Sequence, residues 1–256
     1  MDYNLHTHTK RCGHASGEDE EYVLAAIDAG IKTLGFSDHA PYLFPDGNEQ
    51  CHCIQAKDAK EYFEGLTVLK EKYRDKIDIH LGLEMEYYPK HFDGMLSYAR
   101  SLGAEYLILG QHAIYDGGYF VHGIKDSEEK FKEYIRCTIE AMRTGVFSYL
   151  AHPDLMQLSC NDELYEEEIR RLISVSSELD IPLEINLLGV RDGRCYPCEK
   201  FWRIAGELSA PVTIGIDAHA PSALLDTEAE PVAKWLIKKL RLNYVGMAKI
   251  RNLSDI

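Results

Sequence analysis

Two pairs of residues that commonly bind metals stand out in the sequence, and in each pair one residue separates the members. The pairs are His6-x-His8, close to the first residue, and Asp217-x-His219, late in the chain. On a β-strand the side chains of residues i and i+2 point to the same face, so each pair can converge on one ion. Imidazole combined with carboxylate suits Zn, Fe or Mn better than Ca or Mg. The spacing therefore predicts a transition-metal site.

Further histidine and acidic residues follow apolar segments elsewhere in the chain. Glu84, His39, His112 and His152 each fall at the end of such a segment. The two oxygens of a carboxylate such as Glu84 can bridge two cations about 3.5–4 Å apart, the separation found in two-metal hydrolases. A single histidine at a strand end is more often a hydrogen-bonding residue than a ligand. Recurrence at several strand ends favours a multinuclear metal site.

The elements that must position these residues alternate along the chain. Seven short apolar segments predict strands, and longer segments with helical periodicity lie between them. The predicted strands are 2–6, 33–37, 77–84, 106–110, 146–151, 182–187 and 212–216, and the predicted helices include 20–29, 56–73, 128–144, 162–179 and 199–208. This alternation indicates a parallel sheet. A barrel would bring the strand ends to one rim, which favours a barrel over an open sheet. The segment 243–250 fits either an eighth strand or a terminal extension.

Length and charge narrow the class of protein. The 256 residues, 45% of them apolar, suit a single barrel domain that spans residues 1–256. A net charge of −14 opposes binding to nucleic acid or to a membrane surface. The sequence shows neither a signal peptide nor a long apolar span, and its seven cysteines are scattered. We expect a cytoplasmic protein with reduced thiols.

The remaining histidines and cysteines give weaker signals. His52, His80 and His91 are not placed at strand ends, and ordinary surface or core roles are expected for them. His122 follows the fourth predicted strand, from which it can reach a substrate. Two cysteine pairs, Cys51-x-Cys53 and Cys195-x-x-Cys198, offer a second zinc site, but ordinary thiols are the expectation.

Taken together, the motifs resemble the polymerase and histidinol phosphatase (PHP) superfamily of metal-dependent phosphoesterases. They are Leu5-His6-Thr7-His8-Thr9 with Cys12-Gly13-His14, Gly35-Phe36-Ser37-Asp38-His39-Ala40-Pro41, Gly82-Leu83-Glu84-Met85-Glu86-Tyr87, His112, Ala151-His152-Pro153-Asp154-Leu155 and Asp217-Ala218-His219. Within the superfamily, Gly189-Val190-Arg191 followed by Tyr196-Pro197 resembles the monofunctional histidinol-phosphate phosphatases. The resemblance runs essentially from end to end.

The resemblance implies a distorted TIM-like (β/α)7 barrel of the PHP type with a trinuclear site that holds two to three divalent transition-metal ions (Zn, Fe or Mn). It implies His6, His8, Glu84 and Asp217 as ligands of the first ion, Glu84, His112 and His152 of the second, and His14, His39 and His219 of the third. Glu84, Asp217 and His219 are expected at the catalytic centre. Asp38 and Asp154 are candidates to orient ligating imidazoles.

The expected partner is a small phosphorylated substrate, because clustered cations neutralise a phosphate dianion. Arg191 suits a two-pronged contact with phosphate, and Arg11 and His122 are further candidates for substrate binding. Arg194 is expected at the surface. The leading hypothesis is hydrolysis of L-histidinol phosphate to L-histidinol in histidine biosynthesis. The alternatives are a PHP phosphoesterase for phosphotyrosine, a nucleotide or another small phosphate, and a metal-binding module without catalysis.

Overall fold

Eight parallel strands form one sheet in this computed structural model, which describes residues 1–43, 52–114, 119–121 and 127–256. In sheet order they are β1 (Tyr3–Asn4), β2 (Thr33–Phe36), β3 (Asp78–Met85), β4 (Tyr106–Leu109), β7 (Phe147–Leu150), β8 (Leu183–Asn186), β9 (Pro211–Gly215) and β10 (Asn243–Tyr244). Two short strands, β5 (Ala113–Ile114) and β6 (Tyr119–Phe120), pair antiparallel outside this sheet. The seven predicted strands are confirmed, although the first of them has two residues instead of the predicted five.

Helices occupy the connections between the parallel strands. They are α1 (Asp19–Asp28), α2 (Ala56–Tyr73), α3 (Phe92–Ser101), α4 (Glu128–Arg143), α5 (Asp162–Glu178), α6 (Leu187–Asp192), α7 (Glu199–Glu207) and α8 (Ala229–Leu240). Side-chain caps determine where two of the predicted helices begin, because Ser127 accepts a hydrogen bond from Lys130 N and Asn161 accepts one from Leu164 N. None of the described helices is both long enough and apolar enough to cross a membrane.

The sheet curls into a barrel that closes at its carboxyl rim. Beyond β1 and β9, Thr7 pairs in parallel with Ala218, and His8 N donates to Ala218 O at 2.9 Å. At the opposite end, β10 pairs with the beginning of β9, where Asn243 lies beside Pro211. The predicted TIM-like α/β barrel is therefore confirmed. The segment 243–250 contributes a two-residue eighth strand and then continues as an extension.

A small apolar cluster lies apart from the main core and is built around side chains of β4 and β7. It contains Leu5, Tyr106, Ile108, Tyr149, Ala151 and Ala248. A Cβ atom on Gly35 or Gly82 would overlap the Tyr106 ring or its hydroxyl, so the glycines of β2 and β3 make room for this large side chain. The Tyr106 hydroxyl donates to Leu5 O at 2.8 Å. Tyr106 therefore fills the barrel below the rim that carries the polar residues.

Candidate metal centre

The nine predicted ligands gather at the carboxyl ends of the parallel strands. His6 and His8 follow β1, His14 follows the short turn Lys10–Cys12, His39 follows β2, Glu84 lies in β3, His112 follows β4, His152 follows β7, and Asp217 and His219 follow β9. Eight of them line a cavity of about 200 Å³, here called the histidine-lined cavity, together with His52, Leu188, Arg194 and Tyr196. His6 is fully buried and contacts the wall of this cavity.

Four of these side chains point one atom each at a common centre. His6 Nε2 lies 3.1 Å from His8 Nε2 and 3.4 Å from both Glu84 Oε2 and Asp217 Oδ1. His8 Nε2 lies 3.3 Å from the same Glu84 oxygen and 3.1 Å from the same Asp217 oxygen. Tetrahedral bonds of about 2.0–2.1 Å to a metal place their ligand atoms roughly 3.3 Å apart. The spacing therefore fits one cation at the centre.

The hydrogen bonding of the two carboxylates agrees with this spacing. Glu84 Oε2 and Asp217 Oδ1 are buried and receive no hydrogen bond from any residue within the described ranges. A buried carboxylate oxygen is costly unless a donor or a cation satisfies it. The donor set therefore suits a bound divalent cation.

Glu84 also faces a second group through its other oxygen. His152 Nε2 lies 2.9 Å from Glu84 Oε1, and His112 Nε2 lies 3.6 Å from it. A Cβ atom on Gly110 would overlap this oxygen, so the residue that follows β4 leaves space for the carboxylate. One carboxylate thus lies between two groups of imidazoles, the arrangement that a bridging ligand requires.

The third predicted group is more open. The ring centroid of His219 lies 4.2 Å from that of His8 and 4.8 Å from that of His14, and the His14 and His39 centroids are 5.4 Å apart. Nitrogen atoms of His8, His39 and His219 lie within 4.8 Å of one another, and His14 forms a similar group with Cys12 and His219. The structure thus brings Cys12, for which the sequence predicted no role, next to this group.

Backbone conformation supports the assignment of two of the ligands. His152 and Asp217 have positive φ angles, 29° and 53°, in a region that residues other than glycine seldom adopt. Such strain persists where the surrounding structure enforces it, most often at functional sites. Here it turns side chains from the ends of β7 and β9 toward the cavity.

Burial and neighbouring charges have opposite effects on the pKa values of the two carboxyl groups, Glu84 and Asp217. Burial favours the neutral carboxyl of Glu84, yet His39, His112 and His6 outweigh it and hold its pKa well below the ordinary value. His6 and His219 act in the same way on Asp217 against burial, so its pKa is also lowered. Burial, assisted by His8, lowers the pKa of His219 to about 4. Both carboxylates are therefore ionised and His219 is neutral at neutral pH.

Carboxylates behind the ligands bind the outer nitrogens of three imidazoles. Asp38 Oδ1 lies 3.4 Å from His8 Nδ1, Glu86 Oε1 lies 3.3 Å from His112 Nδ1, and Glu184 Oε1 lies 2.8 Å from His6 Nδ1. Asp38 was predicted in this role from the sequence, whereas Glu86 and Glu184 were not. Glu86 offered a signal, because it follows β3 directly and lies two residues after Glu84, the spacing at which extended backbone places side chains on one face.

The prediction that Asp154 orients an imidazole is wrong. Its carboxylate accepts hydrogen bonds from Cys198 N at 2.5 Å and from Trp202 Nε1 at 3.0 Å. Asp154 instead joins the loop that follows β7 to the start of α7.

Arg11 and Arg194 do not lie where the sequence predicted them. Arg11 forms an ion pair with Asp19, at 2.6 and 2.8 Å, and its guanidinium lies over the Tyr62 ring, away from the histidine-lined cavity. Arg191 donates to the backbone oxygens of Ile216 and Asp217, at 2.9 and 3.4 Å.

Arg194, expected at the surface, lines the cavity. Its guanidinium is held by Tyr196 Oη at 2.9 Å and by Asp192 Oδ2 at 3.1 Å. His122 lies outside the described residues.

A parallel barrel with clustered histidine and carboxylate ligands at its carboxyl rim is the architecture of a metal-dependent hydrolase. Residues 4–187 match the PHP domain family, and the chain belongs to this family. The histidinol-phosphatase of Lactococcus lactis is 25% identical over 284 residues, which cover 100% of this chain and 98% of the relative. A protein of Deinococcus radiodurans named a probable histidinol-phosphatase is 27% identical over 224 residues, with 84% and 85% covered.

The fold has a solved counterpart of nearly the same extent. The crystal structure of histidinol phosphate phosphatase from Lactococcus lactis, complexed with zinc, L-histidinol and phosphate, superimposes with a TM-score of 0.73. The two chains are 20% identical, and the superposition covers 98% of this chain and 97% of that one.

Proposed function

We propose that this protein is a metal-dependent phosphomonoesterase that hydrolyses L-histidinol phosphate to L-histidinol and phosphate in histidine biosynthesis. The observation that carries the proposal is the convergence of His6 Nε2, His8 Nε2, Glu84 Oε2 and Asp217 Oδ1, with contacts of 3.1–3.4 Å. Relatives named histidinol-phosphatase that match most or all of the chain support the choice of substrate. We also propose a cytoplasmic location, which the free thiols of Cys12, Cys137, Cys195 and Cys198 support.

The proposed centre holds two to three divalent ions (Zn, Fe or Mn). His6, His8, Glu84 and Asp217 would hold the first, Glu84, His112 and His152 the second, and His14, His39 and His219 the third. When bound, such ions neutralise the phosphate dianion and activate water for attack on phosphorus. Glu84, Asp217 and His219 are the residues we place at the reacting atoms.

Arg194 is the side chain we assign to phosphate. Among the described residues that line the histidine-lined cavity, it is the one that carries a permanent positive charge. Asp192 and Tyr196 hold its guanidinium in place, so little conformational freedom is lost when an anion binds. A planar guanidinium also matches the oxygens of a phosphoryl group.

An open pocket of about 410 Å³ adjoins the cavity and would take the leaving alcohol. This outer pocket shares His14, Leu188, Arg194 and His219 with the cavity and adds Arg191, Asp192, Ala220, Ser222 and Ala223. The carboxylate of Asp192 suits the ammonium group of histidinol. We therefore propose that Arg191, whose guanidinium binds the backbone before and at Asp217, belongs to the wall beside the leaving group.

Phosphate release from a panel of esters tests the proposed function. The panel contains L-histidinol phosphate, phosphotyrosine, p-nitrophenyl phosphate and nucleotides, and kcat/KM should be highest for L-histidinol phosphate. A higher kcat/KM for another ester would show that the substrate is wrong. Metal binding without release of phosphate from any ester would instead indicate a binding module.

A further inference from the structure

Strand β8 differs from its neighbours because none of the nine proposed ligands lies on it or directly after it. Its last two inward positions carry Glu184 and Asn186, which are 0% and 1% exposed. A Cβ atom on Gly215 of β9 would overlap Glu184 Oε1, so the neighbouring strand leaves space for this carboxylate. A buried carboxylate is destabilising unless its partners replace the lost water. Its partners therefore indicate what it does.

Those partners belong to the proposed metal centre. Glu184 Oε1 accepts from His6 Nδ1 at 2.8 Å, and Oε2 accepts from the backbone N of His152 at 3.0 Å. Asn186 Nδ2 donates to Glu184 Oε2 and to Asp217 Oδ2, both at 3.0 Å. The two side chains of β8 thus contact proposed ligands that follow β1, β7 and β9.

We propose that Glu184 is a positioning residue that sets His6 and His152 for metal binding, a role that rests on the metal-dependent function proposed above. A carboxylate can only accept, so the proton of His6 lies on Nδ1 and the lone pair of Nε2 faces the first ion. A carboxylate behind a ligating imidazole also makes the imidazole a stronger ligand. The bond to the backbone of His152 holds the strained φ of 29° at that residue.

Zinc titration of the metal-free, full-length Glu184→Gln variant tests this role. Glutamine has nearly the same shape but only one accepting oxygen, so it cannot accept from both His6 and His152. We expect a 10- to 100-fold weaker zinc affinity by calorimetry, with the Tm of the metal-free protein close to that of wild type. Glu168→Gln is the matched control, because Glu168 is also buried but is paired with Arg171 at 3.0 Å on α5. It should titrate like wild type.

A purely structural role predicts the opposite result, a lower Tm of the metal-free protein and unchanged zinc affinity of the folded protein, and this would overturn the proposal. If Glu184→Gln does not fold, nitrogen-15 spectra of zinc-loaded wild-type protein distinguish the positioning role from a purely structural one. His6 should bind zinc through Nε2 and keep a slowly exchanging proton on Nδ1, and zinc on Nδ1 would overturn the proposal. Neither measurement contains substrate, so failure here is separate from failure of the phosphate-release panel.

Discussion

Glu84 joins the two groups of imidazoles at the centre, because its two oxygens face different partners. Oε2 lies 3.3 Å from His8 Nε2, and Oε1 lies 2.9 Å from His152 Nε2. Glu84 is 2% exposed, so water cannot take the place of these partners. Removing its charge therefore affects two proposed ion sites, whereas changing a ligand of the open third group affects one.

Glu84→Gln should consequently be more damaging than His14→Ala. We expect kcat/KM to fall by more than about 100-fold for Glu84→Gln, since even groups that only support a ligand are worth 10–100-fold. Metal content should fall with it, and His14→Ala should lose less of both. Steady-state kinetics and metal analysis on the same preparations check the order. Near-normal turnover with full metal content in Glu84→Gln would exclude a bridging role.

Arg194→Ala should weaken the binding of phosphate without disturbing the metals. A charge-assisted hydrogen bond contributes about 1.5–3 kcal/mol, which corresponds to roughly 10- to 100-fold in affinity. We expect KM for the phosphate ester and the inhibition constant of inorganic phosphate to rise by this factor, at unchanged metal content. Arg191→Ala is the comparison, because Arg191 binds the backbone oxygens of Ile216 and Asp217. Arg191→Ala should lower the Tm. If kcat and KM of Arg194→Ala are within twofold of wild type, Arg194 does not bind phosphate and is a surface residue.

At the scale of elements, Glu105 joins α2, β3 and β4 at the end of the barrel opposite the metal centre. Its carboxylate is paired with Lys70 of α2, lies 3.2 Å from His80 Nδ1 and accepts from Leu81 N at 3.3 Å. Burial alone would raise the pKa of this carboxyl, but these donors lower it to about 2. Residues at this end of a barrel contribute to the stability of the fold rather than to catalysis.

The lowered pKa of Glu105 predicts how stability depends on pH. A carboxyl with a lower pKa in the folded than in the unfolded state stabilises the fold above the unfolded pKa of about 4.3, and this contribution disappears as the pH falls toward 2. Glu105→Gln should therefore be less stable than wild type at pH 7, by on the order of 1 kcal/mol because the pairs are partly exposed. Urea unfolding should show the two proteins converging between about pH 4.3 and pH 2. A difference that is constant over this range would contradict the assignment.

At the scale of the whole molecule, the barrel concentrates buried negative charge at one rim of a chain that already carries a net charge of −14. Glu84, Asp217 and Glu184 are all at most 3% exposed there. Bound cations would offset this charge, so the folded protein and its metals should stabilise each other.

Chelation should therefore remove activity and lower the Tm together. A ligand that binds only the native state stabilises it by about 2.7 kcal/mol at a free concentration of 100 Kd. Metal analysis of active protein should find more than one ion per chain, and calorimetry should show the Tm restored when zinc is returned. Less than one ion per chain in fully active protein would overturn the multinuclear centre.

From the sequence alone, the alternation of strands and helices and the ligand types at strand ends could be predicted, because both are local properties. His6-x-His8 and Asp217-x-His219 follow the two-residue period of a strand, and in a parallel barrel all carboxyl ends meet at one rim. Apolar segments bounded by polar residues predicted seven of the eight strands of the parallel sheet. These features depend on neighbours within a few residues.

Only the tertiary structure decided which charged side chains support or enter the centre. Glu184 and His6 are 178 residues apart in sequence, and nothing in the local pattern of β8 distinguishes an inward carboxylate that binds His6 from an ordinary buried one. Arg11 lies between two predicted ligands in sequence, yet its ion pair with Asp19 takes it away from the cavity, whereas Arg194 enters it. In the folded state, distance and charge determine which partner a long polar side chain binds. Those partners come together only when distant strands pair.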